Sequence, residues 1–349
     1  MKADVIILGA SGYGGGELLR LLSNHPAAGA IMPVSKSNAG KCVTEVHSHL
    51  RNLSNVLFLS EPDWRAGSQE SPLVIFAAME NGRLASLIGS VLTALEEAQR
   101  ARRAVLIDLS GDFRLRSADA YRAAYGCDHP RPDLLGSFTY GLPEAGAIAQ
   151  ARCIANPGCF ATAVGLALLP LASIENIGFI AVSGCTGSSG SGFAPSAVTH
   201  HPARAHDFRA YAPLAHRHQP EVEMLLRDAG ARGVALSFVP HSAPIVRGIF
   251  VTAQFRLPLG LDGDGLAELV KARYADSTFI RLINGSPRIA TVAGSNYAEI
   301  GVAVKDGNAA IMCAIDNLGK GMAGQAVQNM NIALGLDETT GLMQQAVYP

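Results

Sequence analysis

"ADVIILGASGYGGGELLRLLSNHP", residues 3–26, is the stretch that decides the fold. It opens with a short apolar run, Val5 to Leu8, and continues through Gly9, Gly12 and Gly15 into a pattern that places Leu18, Leu19, Leu21 and Leu22 on one helical face. Strand, glycine turn, helix is the order in which glycines carry nucleotide-binding meaning: they let the backbone approach a pyrophosphate that lies on the positive end of the helix. The spacing is G-x-x-G-x-x-G, a partial match to the G-x-G-x-x-G fingerprint. A plain strand-to-helix turn is the competing reading.

The segment that follows extends the same logic. "GAIMPVSKSNAGK" reads as a second strand, with Pro33 implying an edge or a bend. Where an NAD enzyme presents Asp or Glu to the ribose hydroxyls, this chain has Ser35, Lys36 and Ser37. A cation with hydroxyls suits a 2′-phosphate and favours NADP over NAD; the alternative is that Lys36 is a solvated surface charge. "PLVIFAAM" (72–79) and "AVLIDLSGDFRL" (104–115) read as buried strands, with a helix over 83–103 between them. Strands alternating with helices predict a parallel, doubly wound sheet of α/β class. "DLSGDFR" ends at the carboxyl edge of such a strand, where these sheets bind ligands, so Arg114 is a candidate anion anchor.

The bulk numbers agree with an ordinary enzyme. With 349 residues the chain has room for two domains. Nearly half the residues are apolar, 16% are charged, and the net charge is −1, which gives no electrostatic reason to bind nucleic acid or a membrane surface. No apolar run is long enough to span a bilayer, and no signal-peptide pattern precedes the first strand, so a soluble cytoplasmic protein is expected. The six cysteines are scattered without a C-x-x-C pair, which suits free thiols, a reducing compartment and no metal site.

Cys159 stands apart. In "NPGCFATAVGLALLPL" it follows Pro157-Gly158 and precedes an apolar, helix-like run. At the mouth of a helix, unpaired N–H groups and the dipole stabilise a thiolate, and the same N–H groups can receive an oxyanion. An inert, buried thiol is the other reading, and the residues alone leave both open. A nucleophilic Cys needs a base, and "AYAPLAHRHQPEVEMLLRDAG" (210–230) offers His216 and His218 directly before a helix start. In an extended segment these two face opposite ways, so only one is expected to reach the site. The Gly/Ser-rich "VSGCTGSSGSGFAPS" (182–196) reads as a loop after a strand, with backbone and hydroxyl donors for a phosphate or carboxylate; Ser188 belongs to it. Arg247-Gly248 enters another strand and is a second candidate anion anchor. "YAEIGVAVKDGNAAIMCAID" (297–316) alternates around Asp306-Gly307 and predicts a hairpin, so the second half reads as a mostly antiparallel sheet.

Six stretches, taken in order, carry a family resemblance over nearly the whole chain: "GASGYGGGELLRLL", "LIDLSGDFRL", "YGLPE" (140–144), "NPGC" with Thr162, "HRHQPE" and "GKGMAGQAVQNMN". Together they resemble the N-acetyl-gamma-glutamyl-phosphate reductases, NADPH-dependent enzymes of arginine biosynthesis. Aspartate-semialdehyde dehydrogenases share the architecture but carry a shorter Asn-Cys-x-Thr motif around their nucleophile. The resemblance implies a Rossmann-type NADP-binding domain over 1–155, with a C-terminal helical segment (316–349) packing back on it. It implies an α+β catalytic and dimerisation domain over 156–315 and a homo-oligomer, dimer or tetramer. It makes Cys159 the nucleophile and His216 the acid/base, with Gly9, Ser11, Gly12, Tyr13 and Gly15 binding the cofactor beside Ser35 and Lys36. Arg114, Asn156, Ser188 and Arg247 are the expected substrate residues.

The chain also departs from that family. Phe160-Ala161-Thr162 follows the Cys where the family commonly has Tyr-Pro-Thr, "AAMENGRLA" replaces a Pro-His-Gly element, and "THHPARAHDFRAY" (199–211) is an unfamiliar insert. The nearest rival substrate is an acetyl-aminoadipyl phosphate, since one methylene is worth only about 1–3 kcal/mol in a pocket. A cysteine acyltransferase or hydrolase, and an NADP-binding redox regulator, are rivals of other classes.

Overall fold

The computed structural model describes residues 2–64, 70–99, 103–146 and 148–348. The chain divides into two compact units: Met1–Pro157 with Met322–Met343, and Gly158–Gly321 with Gln344–Pro349.

In the first unit, six strands among the described residues form a sheet in the order β2-β1-β3-β4-β6-β5, and every neighbouring pair is parallel. They are β1 (Ala3–Leu8), β2 (Ala28–Val34), β3 (Leu73–Ala77), β4 (Ala104–Asp108), β5 (Thr139–Tyr140) and β6 (Cys153–Ala155). The central strands β1, β3 and β4 are buried at every residue, as strands covered on both faces must be. Pro33 falls in β2, at the sheet edge, where its missing N–H costs no ladder bond. Helices α1 (Tyr13–Leu22), α2 (Val43–Val46), α3 (Arg83–Gln99) and α4 (Ala118–Tyr125) connect the strands. The helix expected over 83–103 is α3; residues 100–102 lie outside the described residues.

The second unit holds α5 (Cys159–Leu168), β7 (Gly178–Thr186), α6 (His201–Arg204), β8 (Arg209–Ala210), α7 (Gln219–Asp228), β9 (Val234–Ser242), β10 (Ile249–Arg256), α8 (Gly263–Arg273), β11 (Ile280–Ile283), β12 (Ala298–Lys305) and β13 (Asn308–Ile315). Its sheet runs β11-β12-β13-β10-β7-β9-β8. The sheet is mixed: β11–β12 and β7–β9 are parallel, and the other described pairs are antiparallel. The expected hairpin joins β12 to β13, with Asp306 at φ 51° and Gly307 at φ 71°, both left-handed as a tight two-residue turn requires. The Gly/Ser loop begins later than its composition suggested, because Val182–Thr186 are still in β7.

After Gly321 the chain returns to the first unit, where α9 (Gly324–Leu334) packs beside α1 and β4. The division falls at 157/158 instead of 155/156, and just past β6 the Asn156 N–H still donates to Asp108 O at the end of β4. The returning segment starts at 322 instead of 316, because Asp316 is held in the second unit by Arg247, Gly294, Leu318 and Gly319. At its far end, Val347 N–H donates to Ala293 O in that unit.

Candidate active site

The glycine turn is built for close approach. Gly9 sits at φ 77°, and a Cβ there would lie 2.5 Å from Ala78 O. A Cβ on Gly15 would lie 2.5 Å from the Ala10 backbone, so the turn and α1 pack at a distance only glycine permits. Gly12 is the N-cap of α1 and brings no side chain to cap it. Tyr13 is 42% exposed at the first helical position. At the carboxyl end of β2, the buried Ser35 hydroxyl donates to Ser11 Oγ at 2.9 Å, tying the second strand to the glycine turn. The Ser37 hydroxyl lies 3.4 Å from that of Ser35. Lys36 is exposed and 3.9 Å from Glu61; such a solvated pair is worth at most about 1 kcal/mol and leaves Lys36 available to an incoming anion. This cradle, with an uncapped helix start, hydroxyls and a cation but no carboxylate at the ribose position, fits a dinucleotide.

Cys159 is the first residue of α5, a helix otherwise buried all round and entered from Gly158 at φ −66° and ψ 147°. The glycine at 158 is needed for space and not for its φ: a Cβ there would lie 2.5 Å from His218 Nε2. On the other side, a Cβ on Gly321 would come within 3.0 Å of Cys159 Cβ. The Gly158 N–H donates to Oε2 of Glu221 at 3.0 Å, and Oε1 of the same fully buried carboxylate lies 3.9 Å from His218 Nε2.

Both histidines reach this region, contrary to the expectation that only one would. The chain is not extended there: His218 is αR, and its N–H donates to His216 Nδ1 at 3.2 Å as the chain turns into α7. The His218 ring lies over Gly158, while the His216 ring packs edge-on against Phe160, with centroids 5.6 Å apart. Tyr211, Phe238 and His218 complete an aromatic box around His216 at 5.6, 5.4 and 4.8 Å. Burial in that box, helped by the Arg217 charge, pulls the His216 pKa down to about 4. Accepting at Nδ1, the neutral ring carries its proton on Nε2. Ala212 (φ 43°) and Leu214 (φ 62°) are left-handed without being glycine, a strain of about 1–3 kcal/mol each in the segment that delivers His216. The Tyr211 hydroxyl is shifted upward by burial and by its nearness to Cys159.

The expected substrate residues are placed differently. Arg114 is buried, donating through Nε to Asn156 O at 2.8 Å and through Nη2 to Leu109 O at 2.9 Å; it buttresses the turn and is not an open anion anchor. Asn156 is fully buried, its Nδ2 donating to Met322 O at 3.1 Å and its Oδ1 accepting from Asn329 at 3.0 Å. Arg247 forms a two-pronged pair with buried Asp316 at 2.9 and 2.8 Å, so that fork is already filled. Ser188 is half-buried, its N–H held by Ile245 O at 2.9 Å. In "DLSGDFR", Asp112 caps α3 by accepting from Gly82 and Ala85 at 2.5 and 2.9 Å. Asp108 is pushed up to about 6 by burial, against its bonds from Ser110. Sequence reasoning passed over Glu221, although its place in "HRHQPE" was the available signal. Among the described residues no cluster of metal-ligating side chains occurs, and no helix is long and apolar enough to cross a membrane.

The model of the semialdehyde dehydrogenase NAD-binding domain matches residues 4–151, and that of the semialdehyde dehydrogenase dimerisation domain matches 159–317. An N-acetyl-gamma-glutamyl-phosphate reductase of Methanosphaera stadtmanae is 38% identical over all of this chain and 99% of its own length. A protein of Ignicoccus hospitalis, named as a candidate LysW-L-2-aminoadipate/LysW-L-glutamate phosphate reductase, is 38% identical over 98% of each chain. Two solved structures share the fold and cover 95% of this chain. Aspartate semialdehyde dehydrogenase II of Vibrio cholerae has a TM-score of 0.70 at 16% identity and 98% coverage of its own chain. The Candida albicans aspartate semialdehyde dehydrogenase with NADP has 0.64 at 13% and 98%. With both halves matched and relatives aligned from end to end, the chain belongs to the semialdehyde dehydrogenase family, and within it to the N-acetyl-gamma-glutamyl-phosphate reductases.

Proposed function

We propose that the protein reduces N-acetyl-L-gamma-glutamyl phosphate to N-acetyl-L-glutamate semialdehyde, releasing phosphate, as an oxidoreductase of arginine biosynthesis. The observation that carries the reading is Cys159 at the start of the buried helix α5, between Gly158, which lies under the His218 ring and donates to Glu221, and Phe160, which packs against the His216 ring. NADP is the cofactor, held by Gly9, Ser11, Gly12, Tyr13 and Gly15, with Ser35 and Lys36 at the 2′-phosphate; when bound in its reduced form it supplies a hydride.

The chain's own residues do the rest. The positive end of α5 favours negative charge on Cys159 Sγ, which attacks the acyl carbon; the S–C bond forms, the C–O bond to phosphorus breaks, and phosphate leaves. The resulting thioester waits on Cys159, in a site where aromatic rings exclude water. Once the acyl carbon is reduced, the electron pair of its oxyanion re-forms the carbonyl of the aldehyde, and the C–S bond breaks to restore the thiolate with no net gain or loss of a proton. His216, neutral with Nε2–H, donates to that oxyanion and is the acid/base of the site, and His218, set over Gly158 beside Glu221, is its neighbour. The reading includes a homo-oligomer in the cytoplasm, the dimerisation domain supplying the interface.

The test runs in reverse: N-acetylglutamate semialdehyde, phosphate and NADP, with NADPH absorbance followed beside a Cys159→Ser control. Phosphate-dependent NADPH formation, absent in the control, is expected. The Ignicoccus relative motivates one substitution of substrate, the aminoadipate semialdehyde series, and faster turnover there would move the assignment to it.

A further inference from the structure

With Arg114 committed to carbonyls and Arg247 to Asp316, neither of these two arginines is open to the substrate's negative charge. Arg204, in the unfamiliar insert, is 8% exposed on α6. Its hydrogen bonds among the described residues both leave from Nη2, to Thr186 O at 3.2 Å and Ala243 O at 3.3 Å. Its Nε is enclosed and has no hydrogen-bond partner among the described residues. The charged or titratable groups that act on it are Arg209, a like charge, and Tyr211; among the described residues no carboxylate is paired with it, and burial lowers its pKa. A buried cation without an anion is costly, and proteins ordinarily pair one. Arg209 nearby does have its partner, Asp207.

Arg204 also lies in the right place. Thr186 and Ala243 mark the carboxyl ends of the paired strands β7 and β9. The next turn of chain carries Tyr211, which feels the charges of both Arg204 and Cys159 and whose ring is 5.6 Å from that of His216. The unpaired cation and the candidate nucleophile thus share a neighbour within one unit.

We propose that Arg204 is the anion anchor of the substrate site, receiving an oxyanion on its open Nε side. The reductase substrate offers two groups of that chemistry, a carboxylate and a phosphoryl group, and a guanidinium fork suits either. This identification of the ligand rests on the reductase reading; the existence of the anion site does not. Bracing two carbonyls is the purely structural alternative, but Nη2 alone accomplishes that and leaves Nε without a role.

The experiment compares wild type with Arg204→Met and Arg204→Lys in the full chain. In the reverse assay, the KM values for N-acetylglutamate semialdehyde, phosphate and NADP are measured separately. Arg204→Met is expected to raise one anionic KM at least tenfold while the NADP KM stays unchanged. A rise for phosphate assigns the phosphoryl group, and a rise for the semialdehyde assigns the carboxylate. Arg204→Lys, which keeps the charge and can still donate to a carbonyl, is expected to show a smaller rise and decides the matter if the Met variant does not fold. Unchanged KM values for both anions in a folded variant overturn the proposal. Calorimetric binding of inorganic phosphate and of N-acetyl-L-glutamate separates the two ideas: anion binding lost in Arg204→Met, by a protein with no reductase turnover, leaves the site standing and removes the reductase reading.

Discussion

The N–H of Gly158 donates to the carboxylate of Glu221, 63 residues later in the chain, at 3.0 Å. That bond ties the residue preceding the candidate nucleophile to the first turn of α7, and the same carboxylate lies beside His218. The start of α5 is therefore held from outside its own helix.

Glu221→Ala leaves a buried amide unpaired, so a loss of about 1–3 kcal/mol in urea unfolding is expected. It also frees the turn, so Cys159 alkylation by iodoacetamide should slow as the thiolate loses its setting, with Glu221→Gln intermediate. Unchanged alkylation in a folded Ala variant would show that the carboxylate serves stability alone.

His216 titrates near 4 when folded, against 6.5 when unfolded. Between those values the unfolded chain binds more protons, so stability present above about pH 6.5 is lost as pH falls toward 4. The full difference is roughly 3 kcal/mol. His216→Asn should lose less stability than wild type between pH 7 and 4.5 in matched urea titrations. Parallel losses would mean the aromatic box does not hold the ring neutral.

Gly15→Ala places a methyl against the Ala10 backbone at 2.5 Å. Neither backbone is a flexible end that can swing away, so an overpacking cost of about 1–3 kcal/mol is expected, together with weaker NADP binding by fluorescence titration. Wild-type affinity and stability would show that the turn relaxes.

Ser35 hydrogen-bonds Ser11 at the end of β2, where a carboxylate would instead bond ribose hydroxyls and repel a 2′-phosphate. Ser35→Asp is expected to reverse the preference from NADP to NAD, read as the ratio of their KM values. A preserved ratio would place cofactor discrimination elsewhere.

Much of this was legible from local pattern. The runs 5–8, 72–79 and 104–115 are continuous and apolar because parallel strands are covered on both faces, and the Asp306-Gly307 turn announces its hairpin through left-handed φ values. The glycine spacing at 9, 12 and 15 reflects contacts within a few residues or with the adjacent strand, so it survives in one dimension. Cys159 was visible for the same reason: a proline, a glycine and an apolar helix are its immediate neighbours.

What local pattern could not assign was which polar groups are already taken. Arg114, Asn156 and Arg247 have the composition of ligand residues, but each is bonded to a carbonyl, carboxylate or amide 42 to 173 residues away in the chain. Arg204, in a stretch without a familiar pattern, emerges only because no described residue supplies it with an anion. The sequence by itself determined the elements and singled out the glycine turn and the candidate nucleophile, all of which depend on near neighbours. Tertiary structure decided which buried charges are compensated and that both imidazoles reach Gly158-Cys159-Phe160, because charge pairing and desolvation depend on distance in space and not along the chain.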